Sequence, residues 1–156
     1  MKRLRTVLAI LFLTLAAAGM ALAQRNAFVG TWKLDVAKSK YDPGPAPKSQ
    51  TRTWDASGKV SVKGVNAAGK AMSYAYPIKG DGKEYPTVGA IPNAADKISS
   101  NKVAPNTLEV HLMRGGKPAE RTSFTVTKDG KTLTILDRGT NADGSAFNNV
   151  TVWNKQ

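Results

Sequence analysis

Hydrophobic and polar residues alternate along short stretches of the chain from about residue 28 onward. One face of the first stretch, FVGTWKLDV, carries Phe28, Gly30, Trp32, Leu34 and Val36. Because successive side chains of a β-strand point to opposite faces, this alternation predicts strands with one buried and one exposed face. Past residue 23, no stretch keeps a helical period for three turns, so no long helix is predicted there.

Turn residues separate the alternating stretches. Asp129-Gly130 lies between two of them, and Asp-Gly is typical of a two-residue hairpin loop in which both positions have positive φ. The predicted strands are about 28–36, 49–56, 59–65, 70–78, 83–88, 97–103, 107–113, 119–127, 131–138 and 146–154. Short connections between sequential strands predict an all-β fold, an antiparallel meander of eight to ten strands. Such a meander removes its edges by closing into an up-and-down barrel.

The first 23 residues have a different pattern. Met1 to Arg5 carry three basic residues, Val7 to Ala18 are apolar, and Ala21-Leu22-Ala23 matches a small-x-small cleavage site. The apolar run is shorter than the roughly 20 residues that span a bilayer. We therefore predict a signal peptide at 1–23, cleaved after Ala23, one domain at 24–156, and no transmembrane segment after cleavage. The Ala-rich leader is typical of bacteria and predicts a periplasmic or secreted protein.

Composition narrows the possible partners. The chain has no cysteine, so the fold must rest on packing without disulfides. Its net charge is +12, and removal of Lys2, Arg3 and Arg5 with the leader leaves +9. The basic residues are scattered, whereas a specific nucleic-acid site more often shows clusters with interleaved aromatic residues. The charge either suppresses edge pairing or attracts an anionic envelope polymer or surface.

Catalytic groups are scarce. The chain has no cysteine nucleophile and one histidine, His111, which alternation places on a polar strand face. Four acidic residues precede Gly or Pro and are interpreted as turn residues: Asp42, Asp81, Asp129 and Asp143. The remaining acidic residues are interpreted as solvated cross-strand partners, although two of them could converge inside a barrel: Asp35, Asp55, Glu109, Glu120 and Asp137. We therefore predict no enzyme, no catalytic residue, no metal and no cofactor.

The first predicted strand resembles that of fatty-acid-binding proteins over FVGTWKL, and Gly-x-Trp also begins lipocalin barrels. The segments KSKYDPGPAPKS and FNNVTVWNKQ are similar to those of small exported bacterial lipocalin-like proteins. The resemblance implies a calycin-like barrel in which Trp32 packs across the closed end.

Two departures from the fatty-acid-binding proteins change what the resemblance implies. Those proteins continue into a pair of lid helices, whereas Pro43, Pro45 and Pro47 favour an extended connection here. They also resemble one another in a late Arg-x-Tyr that holds the ligand carboxylate. The corresponding strand has Thr151-Val152-Trp153, and Arg138 could substitute only if it faced inward. We therefore expect a chargeless pocket that prefers neutral molecules to acids.

Two functions follow from these patterns. The first is a protein that carries or senses a small apolar or semi-polar ligand inside the barrel. Its predicted lining residues are Trp32, Tyr74, Tyr76, Val110 and Phe124. The alternative is a solidly packed basic barrel that contacts acidic envelope polymers or surfaces. An interior void of a few hundred Å3 distinguishes the two, because ligand pockets begin at about that size.

Overall fold

The computed structural model describes residues 26–156, so the predicted signal peptide at 1–23 lies outside the described residues. Within 26–156 the chain contains strands and turns only, and no helix there is long and apolar enough to cross a membrane. The strands are β1 (Gly30–Lys40), β2 (Ser49–Trp54), β3 (Lys59–Val65), β4 (Ala71–Pro77), β5 (Tyr85–Pro86), β6 (Val88–Gly89), β7 (Lys97–Ala104), β8 (Thr107–Arg114), β9 (Lys117–Val126), β10 (Thr132–Thr140) and β11 (Ala146–Lys155). The predicted stretch 83–88 divides into the two shortest of these, β5 and β6.

All strands belong to one antiparallel sheet, in the order β5-β7-β8-β9-β10-β11-β1-β2-β3-β4-β6. Strands β1 to β4 and β7 to β11 each pair with their neighbours in sequence, whereas β6 pairs with β4 and β5 pairs with β7. Pairing of β1 with β11 joins the first and last strands within the sheet. The short strands β5 and β6 lie at the two edges, where the barrel is nearly closed. The predicted all-β, antiparallel barrel is thereby confirmed.

A register shift in β1 moves one predicted core residue to the surface. Pairing with β11 shifts between Asp35 and Lys40, and Ser39 Oγ, which donates to the Asp35 carbonyl at 2.7 Å, accepts the Val152 N–H at 3.0 Å. Because a bulge interrupts the alternation of side chains, Val36 is 37% exposed. Its predicted inward orientation is wrong.

The turn at Asp129-Gly130 also differs from its prediction. It does join β9 to β10, but Gly130 has a φ of +70° whereas Asp129 has none in the positive range. The Thr127 N–H donates to the Thr132 carbonyl at 2.9 Å, which leaves four residues in the loop. Asp129 instead accepts the Lys131 N–H at 3.1 Å through its carboxylate, an arrangement that needs no second positive φ.

Aromatic residues build the core at one end of the barrel. Trp32 is fully buried, as predicted, and its indole N–H donates to the Phe28 carbonyl at 2.8 Å. The ring of Phe28 lies 4.9 Å from that of Trp54, which in turn meets Phe124 edge-on at 5.8 Å. Offset and edge-to-face pairs of this kind favour one arrangement of the rings. The segment that precedes β1 therefore packs under the barrel through Phe28.

Candidate ligand-binding cavity

The barrel encloses a cavity of about 470 Å3, a size typical of small-molecule sites. Side chains from nearly every long strand line it. Its apolar and aromatic lining includes Met72, Tyr74, Tyr76, Ile91, Ile98, Val110, Leu112, Phe124, Phe147 and Trp153, and its polar lining includes Gln50, Arg52, Asn93, Glu120, Thr122, Asp137, Asn149 and Thr151.

The connection between β1 and β2 forms part of the wall. Pro43, Pro45 and Pro47 all line the cavity, and the segment forms neither helix nor strand, with bends at Asp42 and Pro43. Its neighbour Asp42 is held by β11, because the Asp42 N–H donates to Asn149 Oδ1 at 3.0 Å and the Asp42 carbonyl accepts the Asn148 N–H at 2.6 Å. Since the proline ring fixes φ, this wall is stiffer than an ordinary loop.

Four of the five predicted lining residues border this cavity: Tyr74, Tyr76, Val110 and Phe124. The fifth, Trp32, does not border it. Its indole turns toward Phe28 at the base of the barrel, where the hydrogen bond to the Phe28 carbonyl holds it. Trp32 therefore belongs to the packed core beneath the cavity.

A buried arginine lies inside the barrel. Arg52, on β2, is only 6% exposed, and its Nη1 donates to the hydroxyl of Tyr76. The guanidinium carbon lies 4.8 Å from the ring centre of Trp153 and 5.4 Å from that of Phe124, which are favourable cation–π distances. Its Nε is fully buried and has no hydrogen-bond acceptor among the residues that the structure describes.

Two carboxyl groups face the same cavity. Glu120 on β9 and Asp137 on β10 lie on adjacent strands, in which Asp137 pairs with Thr122 and Glu120 with Gly139. Glu120 accepts the Asn93 Nδ2–H at 2.6 Å and the Thr122 hydroxyl at 2.7 Å, one on each carboxyl oxygen. These contacts fix the position of the Glu120 carboxyl beside Asp137.

Burial changes the protonation of this pair. Burial raises the pKa of Glu120 from 4.5 to about 8, and the neighbouring charge of Asp137 adds to the rise. Burial also raises the pKa of Asp137, while the charge of Arg52 acts in the opposite direction. Because two adjacent carboxylates in a poorly solvated site repel each other, the pair holds one proton at neutral pH. Arg52 and the singly protonated pair together are then close to neutral.

The tyrosines around the cluster stay neutral. Burial raises the pKa of Tyr41 to about 12, and burial likewise raises the pKa of Tyr74 and of Tyr76. Their hydroxyls therefore act as hydrogen-bonding groups and carry no charge near neutral pH. Tyr74 and Tyr76 also stack, with ring centres 6.1 Å apart.

Arg52 forms no ion pair with the two carboxyl groups of the cavity. Within residues 26–156, three ion pairs form, Lys38–Asp35, Lys97–Glu84 and Arg121–Glu109, with N–O distances of 3.0 to 3.5 Å. Each of the three includes an exposed side chain, and none involves Arg52, Glu120 or Asp137. The buried arginine and the buried carboxyl pair thus border one cavity without direct contact by an ion pair.

The expectation of a chargeless pocket is therefore wrong, and so is the interpretation of Glu120 and Asp137 as solvated partners. Arg138 does not supply the charge, because it is exposed and its Nε donates to Asn148 Oδ1 at 3.1 Å. The alternation of side chains along each strand already indicated that charged residues point into the barrel. Arg52 shares its strand face with Trp54, and Asp137 shares its strand face with Ile135, so each charged residue stands at an inward position.

Metal-binding geometry is not found in this part of the chain: residues 26–156 contain no group of three or more His, Cys, Asp or Glu side chains that could hold an ion. His111, on β8, is half-buried beside Val110.

Comparison with known proteins shows the fold of this chain but identifies no family. No family model and no curated protein matches the chain. Among solved structures, As-p18, described as an extracellular fatty acid binding protein, is 15% identical with a TM-score of 0.52, over 85% of this chain and 99% of that one. A zebrafish ileal bile acid-binding protein complexed with cholic acid is 13% identical with a TM-score of 0.49, over 83% of this chain and 99% of that one. The likeness to As-p18 confirms the calycin-like barrel predicted from the opening motif.

Proposed function

We propose that this protein binds a small, partly apolar molecule inside its barrel and acts as an exported carrier or sensor. The observation that carries the proposal is the cavity of about 470 Å3, lined by aromatic and aliphatic side chains with a few converging polar groups. Such a composition is typical of small-molecule sites, where apolar surface gives affinity and a few polar groups fix orientation. The structural likeness to As-p18, a fatty acid binding protein by description, supports the same class of function.

The alternative function, a filled barrel that contacts anionic envelope material, is less well supported. A solid barrel requires inward side chains that fill its interior, and the cavity argues against that. The net charge of +12 is still compatible with electrostatic attraction to an anionic surface as a secondary property. Export is supported by the leader sequence alone. A non-enzymatic role is supported by the fold likeness to a binding protein.

Filling the cavity tests the proposal. Met72 lines the cavity and is half-buried, whereas its neighbour Ser73 is exposed on the opposite face of β4. Met72→Trp should abolish the blue shift and fluorescence gain of a neutral solvatochromic dye, and Ser73→Trp, the matched control, should leave both unchanged. Thermal unfolding of each variant checks that the barrel remains folded. Equal dye binding by both variants would show that the dye site, and thus the proposed function, lies outside the barrel.

A further inference from the structure

We infer that Arg52, Glu120 and Asp137 form a head-group subsite that selects a neutral ligand group with both a hydrogen-bond acceptor and a donor, such as a primary amide, over a carboxylate. The inference rests on the proposed function, because it assigns the polar end of the ligand that the barrel holds. The acceptor of the ligand would meet Arg52, and its donor would meet the carboxyl pair.

Arg52 requires an acceptor that the described part of the chain does not supply. Its guanidinium carries five N–H donors, yet its hydrogen bond in residues 26–156 goes to the Tyr76 hydroxyl, and Nε is buried without a partner. A buried donor without an acceptor is costly, and a native fold rarely leaves one unless a ligand or water satisfies it. The Nε atom is closed off from solvent, but the Arg52 side chain lines the cavity, so a ligand oxygen there would accept from the terminal guanidinium N–H groups that Tyr76 leaves free.

The carboxyl pair requires a donor. Each oxygen of Glu120 accepts one hydrogen bond, from Asn93 or Thr122, and Glu120 is also hydrogen-bonded to Asp137. A carboxylate has about four lone-pair sites, so Asp137 keeps acceptor capacity toward the cavity that it lines. A ligand N–H or O–H would satisfy that capacity. An ester, which has acceptors only, would meet Arg52 and leave Asp137 unsatisfied.

Charge balance excludes a carboxylate. Arg52 contributes one positive charge, and the pair contributes one negative charge while it holds a single proton. A neutral head group keeps this balance, whereas a carboxylate adds an uncompensated negative charge beside Glu120 and Asp137 in a poorly solvated space.

Titratable side chains on the neighbouring elements do not change the net charge of Arg52 and the carboxyl pair. The other titratable side chains around the pair are Tyr41 after β1 and Tyr74 and Tyr76 on β4, whose pKa values are raised, so they remain uncharged. Arg114 on β8 is not among the residues that line the cavity. Its Nη1 donates to the Asn93 carbonyl at 2.8 Å and to the Thr140 carbonyl at 3.2 Å, so backbone oxygens hold its guanidinium.

Four probes with one alkyl tail test the inference: decanamide, decanoic acid, methyl decanoate and decylamine, each displacing the neutral dye at about pH 7. We expect the amide to bind at least tenfold more tightly than the decanoate, since rejection of a mismatched buried polar group can exceed this by far. The amide should also exceed the ester, which lacks a donor, and the amine, which lacks an acceptor. Decanoate that binds as tightly as the amide would overturn the inference, and so would an ester or amine that equals it.

Two further variants test whether the charges of the subsite, and not the cavity alone, set the order of affinity among the probes. The double variant Glu120→Gln, Asp137→Asn keeps the shapes of both side chains and removes their charge, so decanoate should gain at least tenfold while Arg52 remains. Glu109→Gln, which removes an exterior carboxylate from β8, should leave the order of the probes unchanged. An unchanged order in the double variant would overturn the inference.

If the double variant does not fold, a measurement on the wild-type protein at lower pH still tests the inference. Near pH 4 decanoic acid is largely protonated and becomes a neutral donor and acceptor, so its affinity should approach that of the amide. A persistent tenfold gap at that pH would contradict the subsite. Binding of the dye and of all probes without discrimination would sink the inference and leave the proposed function in place, whereas no binding by any of them would sink both.

Discussion

Glu120→Gln should change how the stability of the barrel depends on pH. The wild-type side chain has its pKa raised from 4.5 to about 8, so between these values the folded state binds a proton that the unfolded state releases. The free energy of unfolding of the wild type should therefore fall as the pH rises from about 5 to 8, and level off above that range. Below pH 4.5 both states are protonated and this group has no effect.

The structure sets the size of this effect. One pKa unit corresponds to ~1.4 kcal/mol, so the full shift of Glu120 corresponds to at most about 5 kcal/mol. The pair shares one proton with Asp137 and borders a cavity that admits water, which relaxes part of the burial penalty. We expect a measured loss of ~2–4 kcal/mol, because relaxation and water reduce such penalties to several kcal/mol at most. That is a large share of the stability of a domain of this size.

Urea denaturation at half-unit steps from about pH 5 to 8.5 measures the slope. Glu120→Gln should flatten it and should be more stable than the wild type at the alkaline end, whereas the exterior control Glu109→Gln should keep the wild-type slope. Five exterior carboxyls have lowered pKa values through side-chain hydrogen bonds and lose their contribution only below about pH 4, outside this window: Asp35, Asp55, Asp81, Asp129 and Asp143. A wild-type stability that is flat or rises from pH 5 to 8 would refute the reasoning.

Three other substitutions probe the packing of the barrel. Trp32→Ala should cost about 3–5 kcal/mol in thermal or urea unfolding, because it removes a fully buried indole and its hydrogen bond to Phe28, and an unchanged melting temperature would contradict this. Gly64→Ala should cost roughly 1–3 kcal/mol, since a Cβ there would lie 2.1 Å from the Ser49 carbonyl oxygen, and wild-type stability would show that β2 and β3 can separate freely. Arg52→Met should reduce stability more at about pH 8.5 than at pH 5, because it removes the cation opposite the carboxyl pair, and a pH-independent change would disagree with that role.

The arrangement of strands follows from the sequence because it depends on local features. Alternation of side chains and turn residues are properties of a few consecutive positions, and together they located the third strand, Lys59–Val65, and placed most others within two residues of their observed ends. The absence of a helix over Pro43–Pro47 follows for the same reason, since the proline ring restricts its own φ and removes a backbone donor. Local rules failed where a bulge at Asp35 to Lys40 changed the alternation, because a bulge depends on the partner strand.

The cavity and its charged cluster depend on the tertiary structure. Alternation could place Arg52, Glu120 and Asp137 on inward faces one strand at a time, but β2 and β9 are far apart in the chain, and their distance across the barrel depends on the registers of every strand between them. Nearby Lys and Arg residues in sequence suggested solvated carboxylates, whereas closure of the sheet removed two of those carboxylates from bulk water. The volume of the cavity is likewise the space left after all inward side chains pack, which no single strand determines.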